Sequence, residues 1–230
     1  MSLFAISDLH LPGSACKPMD IFGEHWQGHF EKIRASWLDS VSEEDVVLLP
    51  GDFSWAMTLD EAGADIRAVG ALPGKKVILR GNHDYWWSAI GKVRAALPPG
   101  MYAVQNDAIA FPGFVVCGTR GWLLPDADTS PEDEKVFRRE VMRLEMTLKA
   151  GRAMAGDGRL ICMMHYPPLT QTSRETPFMD VLRAYMPDDV VYGHLHGGAL
   201  SGAVRGTVDG MRFHQVSCDG LGFKMYRLPD

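Results

Sequence analysis

Five short clusters of carboxylate, imidazole and amide side chains recur along the chain: Asp8-Leu9-His10, Gly51-Asp52, Gly81-Asn82-His83-Asp84, His165 and Gly193-His194-Leu195-His196. These oxygen and nitrogen donors suit divalent transition metals such as Mn²⁺, Fe²⁺ and Zn²⁺. Two such ions held close together activate water and clamp a phosphoryl group, so the donor set names a reaction class as well as a ligand.

Each cluster has a plainer reading when taken alone. Asp52 behind Gly51 is what a turn or helix cap looks like, and Asn82-His83-Asp84 is a capping sequence for a turn. A histidine at a strand end, such as His165, is more often structural. Asp8/His10 and His194/His196 are spaced two apart, which on an extended strand end puts both side chains on one side. The joint occurrence decides: every cluster lies close behind an apolar run of strand length. That edge is where open α/β sheets collect their ligands.

The apolar runs that position them are 3–6, 46–49, 77–79, 114–117, 160–164 and 190–192, mostly continuous, as in strands covered on both faces. Helices are expected between them. Phe30, Ile33 and Trp37 keep helical spacing. Thr58-Leu59-Asp60-Glu61 is a capping box opening a helix toward Leu72. Ser130-Pro131 starts a long helix to about Ala150, and Thr176-Pro177 starts another with Phe178, Val181, Leu182, Tyr185 and Met186 on one face. Residues 204–208 and 211–217 around Asp209-Gly210 read as a β-hairpin, with a short last strand near 223–227. The glycine-rich stretch 151–158 is the loosest segment. Strands alternating with helices predict an α/β architecture, and with no repeat or linker the 230 residues are expected to form a single domain, 1–230.

Composition excludes several classes. No stretch approaches the roughly 20 apolar residues of a membrane helix, and the N-terminus lacks a signal peptide's basic segment, so a cytoplasmic protein with no membrane partner is expected. Cys16, Cys117, Cys162 and Cys218 show no zinc-ribbon spacing, and Cys117 and Cys162 lie inside apolar runs, as reduced buried thiols do. A net charge of −6 disfavours an obligate nucleic-acid binder. Bound cations still leave a pocket that attracts a small phosphorylated substrate.

The ordered set DxH, GD, GNHD, H and GHxH, running from Asp8 to His196, resembles the calcineurin-like metallophosphoesterase family. The resemblance implies two packed mixed β-sheets flanked by helices, and two divalent ions (Mn, Fe or Zn). It implies that one ion takes Asp8, His10, Asp52 and His196 and the other Asp52, Asn82, His165 and His194. Hydroxide bridging the ions would attack phosphorus in line, while His83 contacts the phosphoryl oxygen or protonates the leaving group. One departure stands out. Many members continue the second motif as GDxxD, whose later acid orients the catalytic histidine; here Gly51-Asp52-Phe53-Ser54-Trp55 puts tryptophan there. That removes the serine/threonine protein phosphatases. GNHD likewise differs from the GNRD of one class of lipid A pathway pyrophosphatases, leaving a separate bacterial branch. Asp84 is the nearest acid to orient His83.

Trp55, Trp86, Trp87 and Trp122 cluster near the motifs, either as loop packing or as an aromatic wall for a ring of the substrate. Arg120 and Arg174 follow strands and can hold a phosphate oxygen or simply face solvent; Arg138, Arg139 and Arg143 share a helix with acids and read as an ion-paired face. His25, His29 and His214 take no role. The expected function is hydrolysis of a small phosphomonoester or phosphodiester. A nuclease and a non-catalytic metal-binding scaffold are the alternatives, the latter weakened because every motif position is filled.

Overall fold

A computed structural model describes residues 1–13 and 19–230; Cys16 lies outside them. The chain divides into two compact units, 1–103 with 216–230, and 104–215.

The first unit is built on a five-stranded sheet. Strands β1 (Leu3–Ala5), β2 (Val46–Pro50), β3 (Lys75–Leu79) and β4 (Met101–Ala103) run parallel in that order. Their buried side chains match the continuous apolar runs, except that Lys76 is buried too. Helices α1 (His29–Ser40), α2 (Leu59–Gly70) and α3 (Ile90–Ala96) belong to the same unit. α1 buries Ile33 and Trp37, and the Trp37 indole N–H donates to the Pro73 carbonyl at 2.9 Å. Such a fully buried aromatic is worth roughly 1.5–3 kcal/mol only if its N–H is satisfied, and it is. α2 opens with the capping box: Thr58 Oγ1 accepts the Glu61 N–H while Glu61 returns to the Thr58 N–H.

The second unit holds a six-stranded mixed sheet. Its strands are β5 (Ala108–Phe111), β6 (Phe114–Thr119), β7 (Arg159–Met164), β8 (Asp189–Tyr192), β9 (Gly206–Val208) and β10 (Met211–Gln215), ordered β5-β6-β7-β8-β10-β9. The inner strands β6, β7, β8 and β10 are parallel; β5 and β9 close the edges antiparallel. Helix α4 (Pro131–Ala155) starts on the Ser130 cap with proline at its first turn, and α5 (Pro177–Tyr185) starts on Thr176 in the same way. A last strand, β11 (Tyr226–Arg227), belongs to the first unit and pairs antiparallel with β1. The fold class is therefore α/β with two mixed sheets and accompanying helices, as expected.

Three details differ from the sequence reading. The stretch from Gly151 is not loose: α4 continues to Ala155, because Gly151 faces the sheet where a Cβ would lie 2.7 Å from Leu160 Cδ1. The helix needs a residue without a side chain there to approach β6 and β7. Met186 does not share the buried face of α5. It is the left-handed cap residue and is exposed. Strands β4 and β5 and helix α3 were not expected; the strands are three and four residues long, and α3 has no side-chain cap to announce it.

Candidate metal centre

In the first unit, the parallel register of β1, β2 and β3 brings three motifs to one sheet edge. The chain does not stay extended there. Asp8, His10 and Asp52 take left-handed backbone, with φ of 60°, 44° and 52°. The extended backbone expected for Asp8 and His10 is therefore replaced by an irregular, left-handed one, although their donor atoms still converge. Non-glycine residues rarely adopt φ above zero, and where they do the surroundings must enforce it. Here the enforcement is visible. The Asp8 N–H donates to the Gly51 carbonyl and the His10 N–H to the Asp52 carbonyl, each at 3.0 Å.

Side chains complete the brace. Ser7 Oγ donates to Asp8 Oδ2. The Cys218 thiol donates to the Asp8 carbonyl at 3.1 Å, from 210 residues away in sequence. The His29 Nε2 lies 2.8 Å from the Leu9 carbonyl. A carbonyl only accepts, so that nitrogen carries the proton. Burial lowers the His29 pKa, outweighing the backbone bonds that favour its cation. No spacing rule points to Ser7, His29 or Cys218; only the folded turn recruits them.

Asp8 and Asp52 are buried and His10 nearly so. His10 Nε2 lies 3.7 Å from Asp52 Oδ2, while Asp52 Oδ1 accepts the His83 backbone N–H at 2.8 Å. Gly81 passes so close that a Cβ there would stand 2.1 Å from Asp52 Oδ1. Asn82 and His83 are half-buried beside it. Asp84 is fully buried and accepts four bonds: Gly81 N–H at 2.7 Å, Phe53 N–H at 2.9 Å, Ser54 N–H at 3.1 Å and the Trp86 indole at 2.9 Å. Burial raises its pKa and these N–H donors oppose the rise, leaving it above the ordinary value. Asp84 ties two loops together, and the Trp55 ring stands beside that of His83, with centroids 4.5 Å apart.

In the second unit, β7 ends at His165 and β8 at the turn carrying His194, which again is left-handed (φ 69°). His196 is extended and precedes a short 3-10 turn, Gly197–Gly202. The Gly193 N–H donates to the His165 carbonyl at 3.2 Å. This aligns the two strand ends, so that His165 Nε2 and His194 Nδ1 lie 3.3 Å apart. Tyr166 backs the pair, its ring 4.1 Å from His194.

The donor chemistry fits divalent ions. Two ring nitrogens on one tetrahedral ion at ~2.0–2.1 Å are themselves separated by about 3.3 Å, the spacing His165 and His194 already have. Asp8, His10 and Asp52 in the first unit and His165 and His196 in the second all rank as candidate metal ligands. Of the eight non-glycine residues with positive φ among the described residues, four are candidate ligands.

The chain's first 198 residues match the model of one family, the calcineurin-like phosphoesterases. The chain belongs to that family. Every candidate ligand of this calcineurin-like chain lies within the matched span, and the family's activity is metal-dependent phosphoester hydrolysis. No curated protein matches it. Two solved structures share the fold: the protein of unknown function AQ665 from Aquifex aeolicus and TT1561 of Thermus thermophilus. The first is 15% identical with a TM-score of 0.53, covering 98% of this chain and 95% of that one. The second is 13% identical with a TM-score of 0.58, covering 98% and 97%. At such identities the likeness concerns architecture only.

Of the neighbouring residues, Trp86 and Trp87 are buried packing, as the plainer reading had it, while Trp55 and Trp122 are half-buried. Arg120 stacks its guanidinium over Trp122 at 4.4 Å and lies 3.9 Å from Glu140; Arg174 bonds Gln171. Arg138 and Arg143 pair with Glu134 and Glu140 along α4. His214 bonds buried Asp189. No helix among the described residues is long and apolar enough to cross a membrane.

Proposed function

We propose that the protein hydrolyses a small phosphomonoester or phosphodiester with two divalent ions. Asp8, His10, Asp52 and His196 would hold one ion, and Asp52, Asn82, His165 and His194 the other, with the two units acting as one catalytic domain. The observation that carries this reading is that the family match spans every one of these residues.

Such ions, when bound, supply Lewis acidity and an activated water. The residues do the rest. Asp52 presents one carboxylate oxygen toward His10 while the other is fixed by the His83 N–H, so its orientation is set before any ion arrives. His83, half-buried and not among the ligands, is left to contact the phosphoryl group or protonate the leaving oxygen. Manganese, iron and zinc all suit this mixed oxygen and nitrogen set. A reducing, cytoplasmic setting is supported by three buried free thiols, Cys117, Cys162 and Cys218.

The test is hydrolysis of paired aryl monoester and diester substrates by protein reconstituted with Mn²⁺, Co²⁺, Fe²⁺ or Zn²⁺, with Asp52→Asn alongside. Turnover that a chelator abolishes and Asp52→Asn lacks supports the reading. Two bound ions and no turnover on either ester would move it to a non-catalytic metal-binding scaffold.

A further inference from the structure

Trp55 stands where many calcineurin-like chains carry an acid that orients the catalytic histidine. Its ring stacks on His10, centroids 4.8 Å apart and planes 22° apart, and leans on His83 at 4.5 Å and 49°. The indole is itself immobilised. Its N–H meets Met19 Sδ at 3.3 Å, and the Trp55 backbone N–H donates to the Leu11 carbonyl at 2.8 Å. On another side of His83 stands Tyr85, edge-on at 6.2 Å, and the His83 backbone is pinned to Asp52.

A histidine ring has a broad, two-fold torsion about its last bond, so something must choose its orientation. A carboxylate does so by one directional bond. A flat indole does so by shape, since aromatic faces prefer a narrow range of offsets and tilts. Asp84 is engaged by four N–H donors from the two loops it joins.

We infer that Trp55 is the positioning residue for His83, holding the imidazole by ring packing. The inference rests on the phosphoesterase reading for its kinetic consequence and on ring geometry alone for its structural one. A ring that protonates leaving groups matters most for esters whose leaving group is poor, and losing such help costs about 10²–10⁴-fold. Trp55→Leu, which keeps an apolar side chain but not a flat face, should therefore slow phenyl esters at least ~10-fold more than p-nitrophenyl esters. Added to His83→Ala it should cause no further loss, because residues acting as a unit are not additive. Trp55→Phe should restore most of the difference.

The decisive measurements are a leaving-group series on the metal-loaded protein for these variants, with metal content determined for each, and NMR of the His83 ring protons in metal-free protein. In the spectra, Trp55→Leu should move and broaden the His83 ring signals while Trp55→Phe leaves them sharp. Equal slowing of all esters, additive with His83→Ala, would overturn the inference and leave Trp55 acting through His10. His83 ring signals that shift with loss of the indole but stay as sharp in Trp55→Leu as in wild type would overturn it too, whatever the kinetics. If wild-type protein turns over no ester, the functional reading fails and the spectra still decide the positioning.

Discussion

The Asp84 carboxylate accepts the Phe53 backbone N–H at 2.9 Å, stapling the turn of the third motif to that of the second. With the three other N–H donors on the same carboxylate, this bond holds both strand ends in register. Asp84→Ala strands those donors in a buried place. It should cost about 3 kcal/mol in denaturant unfolding, and lower metal content in parallel. A variant of full stability that keeps its metal but not its turnover would instead make Asp84 a participant in the chemistry.

Gly81 is where the third motif passes the Asp52 side chain. A methyl group there overlaps both Asp52 Oδ1 and the Asp52 backbone nitrogen, the latter at 2.2 Å. Neither atom can yield without moving a candidate ligand. Gly81→Ala should reduce bound metal, read by elemental analysis, even in preparations that remain folded by circular dichroism.

His29 separates hydrogen bonding from bulk. His29→Gln keeps an N–H that can reach the Leu9 carbonyl, whereas His29→Leu leaves that carbonyl without it. The leucine variant should be less stable by about 1 kcal/mol, the net value of one such bond, and should bind metal more weakly. The glutamine variant should fall between it and wild type. Equal metal affinities in all three would show that the Asp8-Leu9-His10 turn does not need this bond.

Asp189 should contribute to the acid sensitivity of the second unit. Burial raises its pKa, but bonds from His214, Arg212 and Arg159 outweigh burial and hold it below the ordinary carboxylate value. A depressed folded-state pKa means stability that is present above the unfolded value and lost as pH falls through the folded one. Denaturant midpoints should thus decline below about pH 4, and Asp189→Asn should flatten that decline. Because the variant leaves two arginines facing a neutral amide, it should also lose about 3 kcal/mol at neutral pH.

Gly151→Ala sets two effects against each other. Alanine favours a helix interior by about 1 kcal/mol over glycine. Its methyl would press on Leu160 Cδ1 and lie 3.1 Å from Cys117 Cβ, and overpacking of this kind costs about 1–3 kcal/mol. The clash should win, and the thermal midpoint should fall.

These cases show which features local sequence carried. Thr58, Ser130 and Thr176 cap their helices as read because a cap depends only on residues a few positions away. The buried strands were legible because two covered faces demand unbroken apolar runs. The five motifs were legible as donors. Their geometry was not, because left-handed φ at Asp8 and His10 is imposed by carbonyls of the second motif about 40 residues on. The contribution of Cys218 was likewise invisible, arising only when the chain's end returns to its beginning. Gly151 misled for the same reason: glycine signals looseness locally and close approach only once α4 and the sheet are both in place.

Left-handed backbone at Asp8, His10, Asp52 and His194 has a consequence for how the protein tolerates change. Branched residues such as valine are excluded at these positions by their backbone alone, before any question of metal arises, while asparagine and glycine remain admissible. Backbone conformation alone thus narrows what these four corners can hold, as it does at Asn106, Met186, Asp209 and Phe223 elsewhere. At these four candidate ligands the main chain restricts substitution before the side chain's chemistry is tested.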